Sequence, residues 1–214
     1  MPRFARGFDV EAARTHLRQA DPALRAWIDR IGPLGPDPRW HRSFDLTDAL
    51  ARSILHQQLS GKAAATIVGR LEAAAGSRLL DAAALSRVDD ASLRACGVSG
   101  NKQRALRDLC RFAVEGGLPD ARRLSCMDNE AIIGTLTQVR GIGRWTVEML
   151  LMFRLGRGDL LPLDDLGIRN GARRVDGVDI AFTGTALAER GACWWPYRTC
   201  ASFYLWRIAD WRDR

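Results

Sequence analysis

An all-α fold is what this chain predicts, and three observations carry the prediction. Apolar residues recur at three- and four-residue intervals through Arg-, Ala- and Leu-rich segments, the spacing that lines one face of a helix. No stretch alternates Val, Ile or Tyr with polar residues in the manner of a half-buried strand. The breaks between segments hold glycine, proline and small capping residues, the chemistry that stops and starts helices.

Leu17, Leu24, Trp27 and Ile28 outline a first helical region. It stops at Gly32-Pro33-Leu34-Gly35-Pro36-Asp37-Pro38, where proline removes backbone donors and glycine removes stiffness. Thr47 is the expected N-cap of the next helix, which carries Leu50, Ile54 and Leu55. That helix runs into His56-Gln57-Gln58-Leu59-Ser60-Gly61, and Ala63, Ile67 and Leu71 mark another. After Leu85 to Leu93, the run Cys96-Gly97-Val98-Ser99-Gly100 makes a turn and cap before a helix with Leu106, Leu109 and Phe112. Gly116-Gly117-Leu118-Pro119 ends it, and Asp128 starts a helix bearing Ile132, Ile133 and Leu136.

At 214 residues the chain can bury a sizeable core as one domain or two small subdomains. Its 47% hydrophobic and 27% charged content excludes disorder as the native state. The surplus of Lys and Arg, 32 against 25 acidic residues, suits a polyanionic partner, nucleic acid being the commonest, although the same surplus also serves solubility alone. Cys96, Cys110, Cys126, Cys193 and Cys200 are odd in number, widely spaced and without a CxxC. That pattern speaks against a zinc site, a disulfide framework and an iron–sulfur cluster, and reads as isolated thiols in a reducing cytosol. His16, His41 and His56 lack metal-ligand spacing. No segment is apolar enough to span a membrane, and Met1 to Arg6 is not followed by a signal core, so a cytoplasmic protein with no membrane partner is expected.

The informative stretch is Leu136 to Leu150. A helix is expected to end near Gln138, Gly141 and Gly143 permit a tight hairpin, and a second helix begins near Arg144. Backbone N–H groups at that helix start form an anion site to which a DNA phosphate is suited, with Arg140 and Arg144 beside it. Alone, this pattern also describes a glycine turn between packed helices.

Three features together change the weight: the hairpin Val139-Arg140-Gly141-Ile142-Gly143-Arg144-Trp145-Thr146, the run Pro162-Leu163-Asp164-Asp165-Leu166-Gly167-Ile168-Arg169, and Trp195-Pro196-Tyr197-Arg198 with Trp206 beyond. In their order and gaps, over roughly residues 45–210, the chain resembles the helix-hairpin-helix DNA glycosylase superfamily and its 3-methyladenine DNA glycosylase II branch. The resemblance implies a monomeric, monofunctional hydrolase acting on double-stranded DNA that contains alkylated bases. It implies two helical subdomains with a central cleft and no extra N-terminal β domain: residues 46–159 as a helical barrel ending in the hairpin, and 1–45 with 160–214 as the unit carrying the catalytic aspartate.

By the same resemblance the catalytic aspartate is Asp164, two positions past Pro162 and nineteen past Trp145. Asp165 is the adjacent rival, and its ordinary role is N-cap to a helix starting at Leu166. Trp145 stands where bifunctional relatives carry a lysine. The pocket is assigned to Trp145, Met149, Asp165 and Trp206, with Met149 replacing a tyrosine common in the family. The loop Gln57-Gln58-Leu59 fills the space of a flipped nucleotide, through Gln58 or Leu59, although these residues serve equally well as a plain joint between helices. Lys102, Arg140, Gly141, Ile142, Gly143, Arg144 and Thr146 are set against DNA. No cofactor is required; the carbonyls of Thr137, Val139 and Gly141 are the expected seat of a structural monovalent cation. Trp27, Trp40 and Trp211 read as core, while Trp194 and Trp195 stay unassigned.

The implied chemistry needs these residue types. Loss of a base from C1′ builds positive charge on the sugar, which a carboxylate in a water-poor site stabilises while it orients water. The base must first leave the stack, and a cationic alkylated base gains cation–π energy on indole. Two rivals remain at this point: a non-catalytic helix-hairpin-helix DNA-binding module, and an oxidised-base glycosylase with lyase activity, which wants a lysine at position 145.

Overall fold

The computed structural model describes residues 6–180 and 182–212, so Met1 to Ala5 of the basic N-terminal segment lie outside the described residues. Among the described residues there are thirteen α-helices, two short 3₁₀ turns and no strand. The chain divides into two compact units, a central one of Ser43–Leu150 and a terminal one built from Ala5–Arg42 and Leu151–Arg214. The sequence reading set the breaks at 45/46 and 159/160.

Helices α1 (Val10–Ala20) and α2 (Pro22–Ile31) open the terminal unit. The sequence suggested one helical region here, but the structure breaks it at Asp21. That residue is extended, its carboxylate caps α2 by accepting from Leu24 N at 3.0 Å, and Pro22 takes the first helical position, where no backbone donor is needed.

The central unit contains α3 (Leu46–His56), α4 (Gly61–Ala75), α5 (Ala82–Ser86), α6 (Asp90–Ala95), α7 (Gly100–Val114), α8 (Ala121–Cys126), α9 (Asn129–Leu136) and most of α10 (Arg144–Phe153). Five of these starts repeat one device. Asp45, Asp81, Asp89, Asp120 and Asp128 each accept a hydrogen bond from the N–H three residues on, a cap worth about 1 kcal/mol. The cap of α3 is therefore Asp45 rather than Thr47, which is buried in the first turn. Ser99 precedes α7 as expected but makes no side-chain cap bond. Helix α3 packs on α4 and α7, and α5 packs on α7. This buries Leu50, Ile54, Leu55, Leu71, Leu85, Leu106 and Leu109, each contributing about 1.5–3 kcal/mol by transfer from water.

The terminal unit is completed by α11 (Leu166–Asp176), α12 (Gly184–Arg190) and α13 (Arg198–Ala209). Its spine is α11 against α13, with α1 and α2 packed alongside. Gly171 sets that closeness: a Cβ there would strike the carbonyl of Leu205, so only glycine lets the two backbones meet. Leu17, Leu24, Ile28, Ile168, Leu187, Trp194, Tyr204 and Leu205 form the core. Trp194 is thereby placed: it is fully buried and donates its indole N–H to Asp21 Oδ2 at 2.7 Å. Trp195 is 64% exposed, Trp40 is buried, and half-buried Trp27 and Trp211 meet edge to face.

Candidate functional site

In the central unit the hairpin forms between α9 and α10. Helix α9 stops at Leu136, two residues before the expected end. Ile142 N donates to Val139 O at 3.0 Å, and Gly141 adopts φ +79°, a conformation that disfavours any side chain. A Cβ on Gly141 would also sit 3.1 Å from that of Ala105 on α7. Helix α7 grips the turn directly, because Arg140 N donates to Asp108 Oδ2 at 2.8 Å. Helix α10 begins at Arg144, as expected, with Val147 N donating to Gly143 O. The N–H groups of such a first turn have no acceptor within their own helix and lie at its positive end.

The loop between α3 and α4 stands beside this hairpin. Gln57 Nε2 donates to Gly141 O at 2.8 Å and ties the two together. Gln58 is exposed and holds φ 56°, the one positive value outside glycine among the described residues. Leu59 is also exposed. A concave surface of about 440 Å³ is lined by Ser53, His56, Gln57, Gln58, Trp145, Thr146 and Met149. Trp145 is 49% exposed there, one turn before Met149. The structure thus brings the expected loop, hairpin and two of the expected pocket residues into one neighbourhood.

Four of the assigned DNA contacts are paired internally or buried. Arg144 is forked onto Glu130 through both terminal nitrogens and reaches Glu148 through Nε at 3.0 Å, so its charge is balanced within the unit. Lys102 donates Nζ to the carbonyls of Leu55 and Gln57 at 2.7 and 2.8 Å, and burial lowers its pKa from the ordinary value. Thr146 and Ile142 are buried, which leaves exposed Arg140, Gly141 and Gly143 as the outward part of the hairpin. Glu148 stands four residues after Arg144 on one helix, a spacing that sequence could have signalled, whereas Glu130 and Asp108 are ordinary helical acids until the fold gives each a partner.

In the terminal unit the two adjacent aspartates differ sharply. The Asp164 side chain is 86% exposed and its Oδ1 accepts from Arg169 Nη2 at 2.9 Å. Asp165 is half-buried and caps α11, with Oδ1 accepting from Ile168 N at 2.9 Å and from Trp206 Nε1 at 2.8 Å. The N-cap role read for Asp165 is thus present, with an indole bond added. Trp206 stacks on Phe153 and Phe203, with ring centroids 5.8 and 6.1 Å away, and Arg39 lies 4.5 Å from the Phe153 centroid. Neither phenylalanine stood out in the sequence, because aromatic residues at helical spacing are most often core. Among the described residues no cluster of His, Cys, Asp and Glu could hold a metal, and the five cysteines are free thiols. No helix among the described residues is long and apolar enough to cross a membrane.

Comparison with known proteins agrees with this arrangement. The HhH-GPD superfamily base excision DNA repair protein family matches residues 51–196. DNA-3-methyladenine glycosylase 1 of Schizosaccharomyces pombe is 33% identical over 94% of this chain and 88% of its own length. The solved structure of S. pombe 3-methyladenine DNA glycosylase (Mag1) in complex with abasic DNA superposes with a TM-score of 0.81 at 32% identity, covering 95% of this chain and 98% of that one. A DNA-3-methyladenine glycosidase from Bacillus halodurans gives 0.81 at 36% identity, covering 98% and 93%. The chain therefore belongs to the HhH-GPD superfamily of base excision DNA repair proteins, in the branch of the 3-methyladenine DNA glycosylases.

Proposed function

We propose that this protein is a monofunctional DNA glycosylase that flips an alkylated base out of double-stranded DNA and releases it by hydrolysis, leaving an abasic site. The observation that carries the reading is Asp165. Asp21, pinned in the same two ways, is buried in the core, whereas Asp165 is held by a helix N-terminus and an indole N–H while still half-exposed, and an oriented carboxylate that solvent can reach is what a catalyst needs. Within this reading Asp165 takes the catalytic role first given to Asp164. A carboxylate that is mostly in water and paired with Arg169 has its field screened and neutralised; one fixed in orientation beside Trp206 is ready for charge developing on the sugar. It stabilises the cationic sugar and orients the attacking water.

The central unit supplies the grip. Exposed Arg140 and the outward hairpin backbone take phosphate, Gln58 or Leu59 fills the vacated stack, and Trp145 with Met149 receives the base. The indole of Trp145 offers its face to a cationic base. A structural monovalent cation fits the hairpin: the carbonyls of Val139 and Gly141 already accept from Ile142 N and Gln57 Nε2, but each keeps a second lone pair. With Thr137 they would hold the ion, which would add positive charge toward a phosphate.

Duplexes bearing single alkylated bases test the reading. Base release should leave an intact strand that nicks only after alkali, and borohydride added during turnover should trap no protein–DNA adduct. The chain has two lysines, Lys62 and Lys102, and an adduct that disappears in Lys102→Ala or Lys62→Ala would establish lyase chemistry instead. Binding without release from any alkylated duplex would leave only the binding module.

A further inference from the structure

We propose that Lys102 is a positioning residue for the loop that replaces the flipped nucleotide, acting on DNA through Gln58 rather than by touching DNA itself. The proposal rests on the reading of Gln57-Gln58-Leu59 as that loop. Gln58 holds φ 56°, a left-handed backbone that an ordinary side chain keeps only when its surroundings enforce it. The enforcing contacts are on the page. Lys102 Nζ bridges Leu55 O, in the last turn of α3, and Gln57 O, the carbonyl directly before Gln58. These are carbonyls at a helix C-terminus, where a cation both satisfies the unpaired oxygens and offsets the negative end of the helix. Gln57 also reaches across to Gly141 O, so the residue ahead of Gln58 is held from two sides.

Helix α7 carries a second grip. Six residues after Lys102, Asp108 accepts the backbone N–H of Arg140 in the hairpin. One rigid helix therefore fixes both the loop and the hairpin, and so the spacing between the filler of the stack and the phosphate contact. The half-burial of Lys102 agrees with an inward task, since a lysine serving phosphate would keep its ammonium in water.

Lys102→Met keeps the stem and removes the donors. Single-turnover excision is compared on two duplexes: one with the lesion in a normal pair, the other with the lesion opposite an abasic gap, where little stacking or pairing has to be broken. The brace predicts a loss of about tenfold on the paired duplex and within about twofold on the gapped one. Affinity and salt slope on lesion-free DNA should not change. Lys102→Arg, which keeps charge and donors, should recover most of the paired-duplex rate. Equal losses on both duplexes would reduce Lys102 to general support of the fold, and a weaker affinity with a shallower salt slope would make it a phosphate contact; either overturns the brace. Gln58→Ala separates the two readings. If Gln58→Ala shows the paired-only defect and Lys102→Met does not, the brace alone fails; if Gln58→Ala shows none, the route through Gln58 fails, and if Leu59→Ala shows none either, the loop assignment itself fails.

Discussion

A carboxylate that stabilises positive charge on a sugar works best when its orientation is set before the charge develops. Asp165 meets that condition through two donors on one oxygen, and exposed Asp164, bonded to half-buried Arg169, does not. Asp165→Asn is expected to slow excision by about a hundred- to a thousandfold with DNA affinity nearly unchanged, whereas Asp164→Asn should stay within about threefold of the parent. Single-turnover rates and lesion-free binding measure both; a dead Asp164→Asn beside an active Asp165→Asn would restore the first assignment. Spacing from Pro162 and Trp145 located the pair, but a one-residue register cannot be fixed by counting when both positions hold the same acid. The N-cap role of Asp165 does not exclude catalysis, since a capped carboxylate is also an oriented one.

Asp21 joins two helices and a turn. It ends α1, caps α2, accepts the Trp194 indole N–H and pairs with Arg190, which also holds Asp176. Burial would raise its pKa, but the hydrogen bonds from Leu24, Trp194 and Arg190 outweigh burial and hold it below the ordinary aspartate value. A carboxyl whose folded pKa lies below its unfolded one stabilises the fold fully above the unfolded value, near pH 4, and loses that contribution as pH falls through the folded value. Acid unfolding of the parent should therefore show a component below about pH 4 that Asp21→Asn lacks, with the variant less stable by about 3 kcal/mol at neutral pH because half-buried Arg190 keeps Asp176 but loses its other carboxylate. Denaturant melts across pH 3–7 would show it; parallel curves for the two proteins would dismiss the linkage. The helix elements themselves were largely readable. The apolar spacing located α3, α4, α7 and α9, while the Asp45 cap and the Asp21 break were misplaced, since Thr and Asp both cap and Leu17 to Ile28 keeps its periodicity across the break.

The chain carries 32 basic against 25 acidic side chains, but that net charge does not say which cations face a polyanion. Arg144 is neutralised by Glu130 and Glu148, and Lys102 is turned inward. With Arg140 and the hairpin backbone as the remaining grip, binding to lesion-free duplex should involve about two or three ionic contacts. Affinity should then fall by at least about tenfold between about 50 and about 200 mM salt, less steeply than the net charge suggests. Fluorescence anisotropy across that range would measure the slope; an unchanged Kd would remove the electrostatic contribution, and a slope that falls by about one contact in Arg144→Ala would mean that Arg144 leaves its acids on binding.

Sequence by itself determined the class of fold, the hairpin and the family, because each depends on local pattern: helical periodicity, glycines where a turn must tighten, and motif order along the chain. It also placed Trp145, Met149 and the glutamine pair near one another in role, through resemblance. Which way a charge points was decided only by tertiary structure. Lys102 and Arg144 are identical in sequence terms to surface cations, and Asp164 and Asp165 to each other, until a carbonyl from α3, a carboxylate from α9 and an indole from α13 arrive from distant parts of the chain. Partners brought together by folding set the charge, exposure and orientation of a side chain, and no local pattern encodes them.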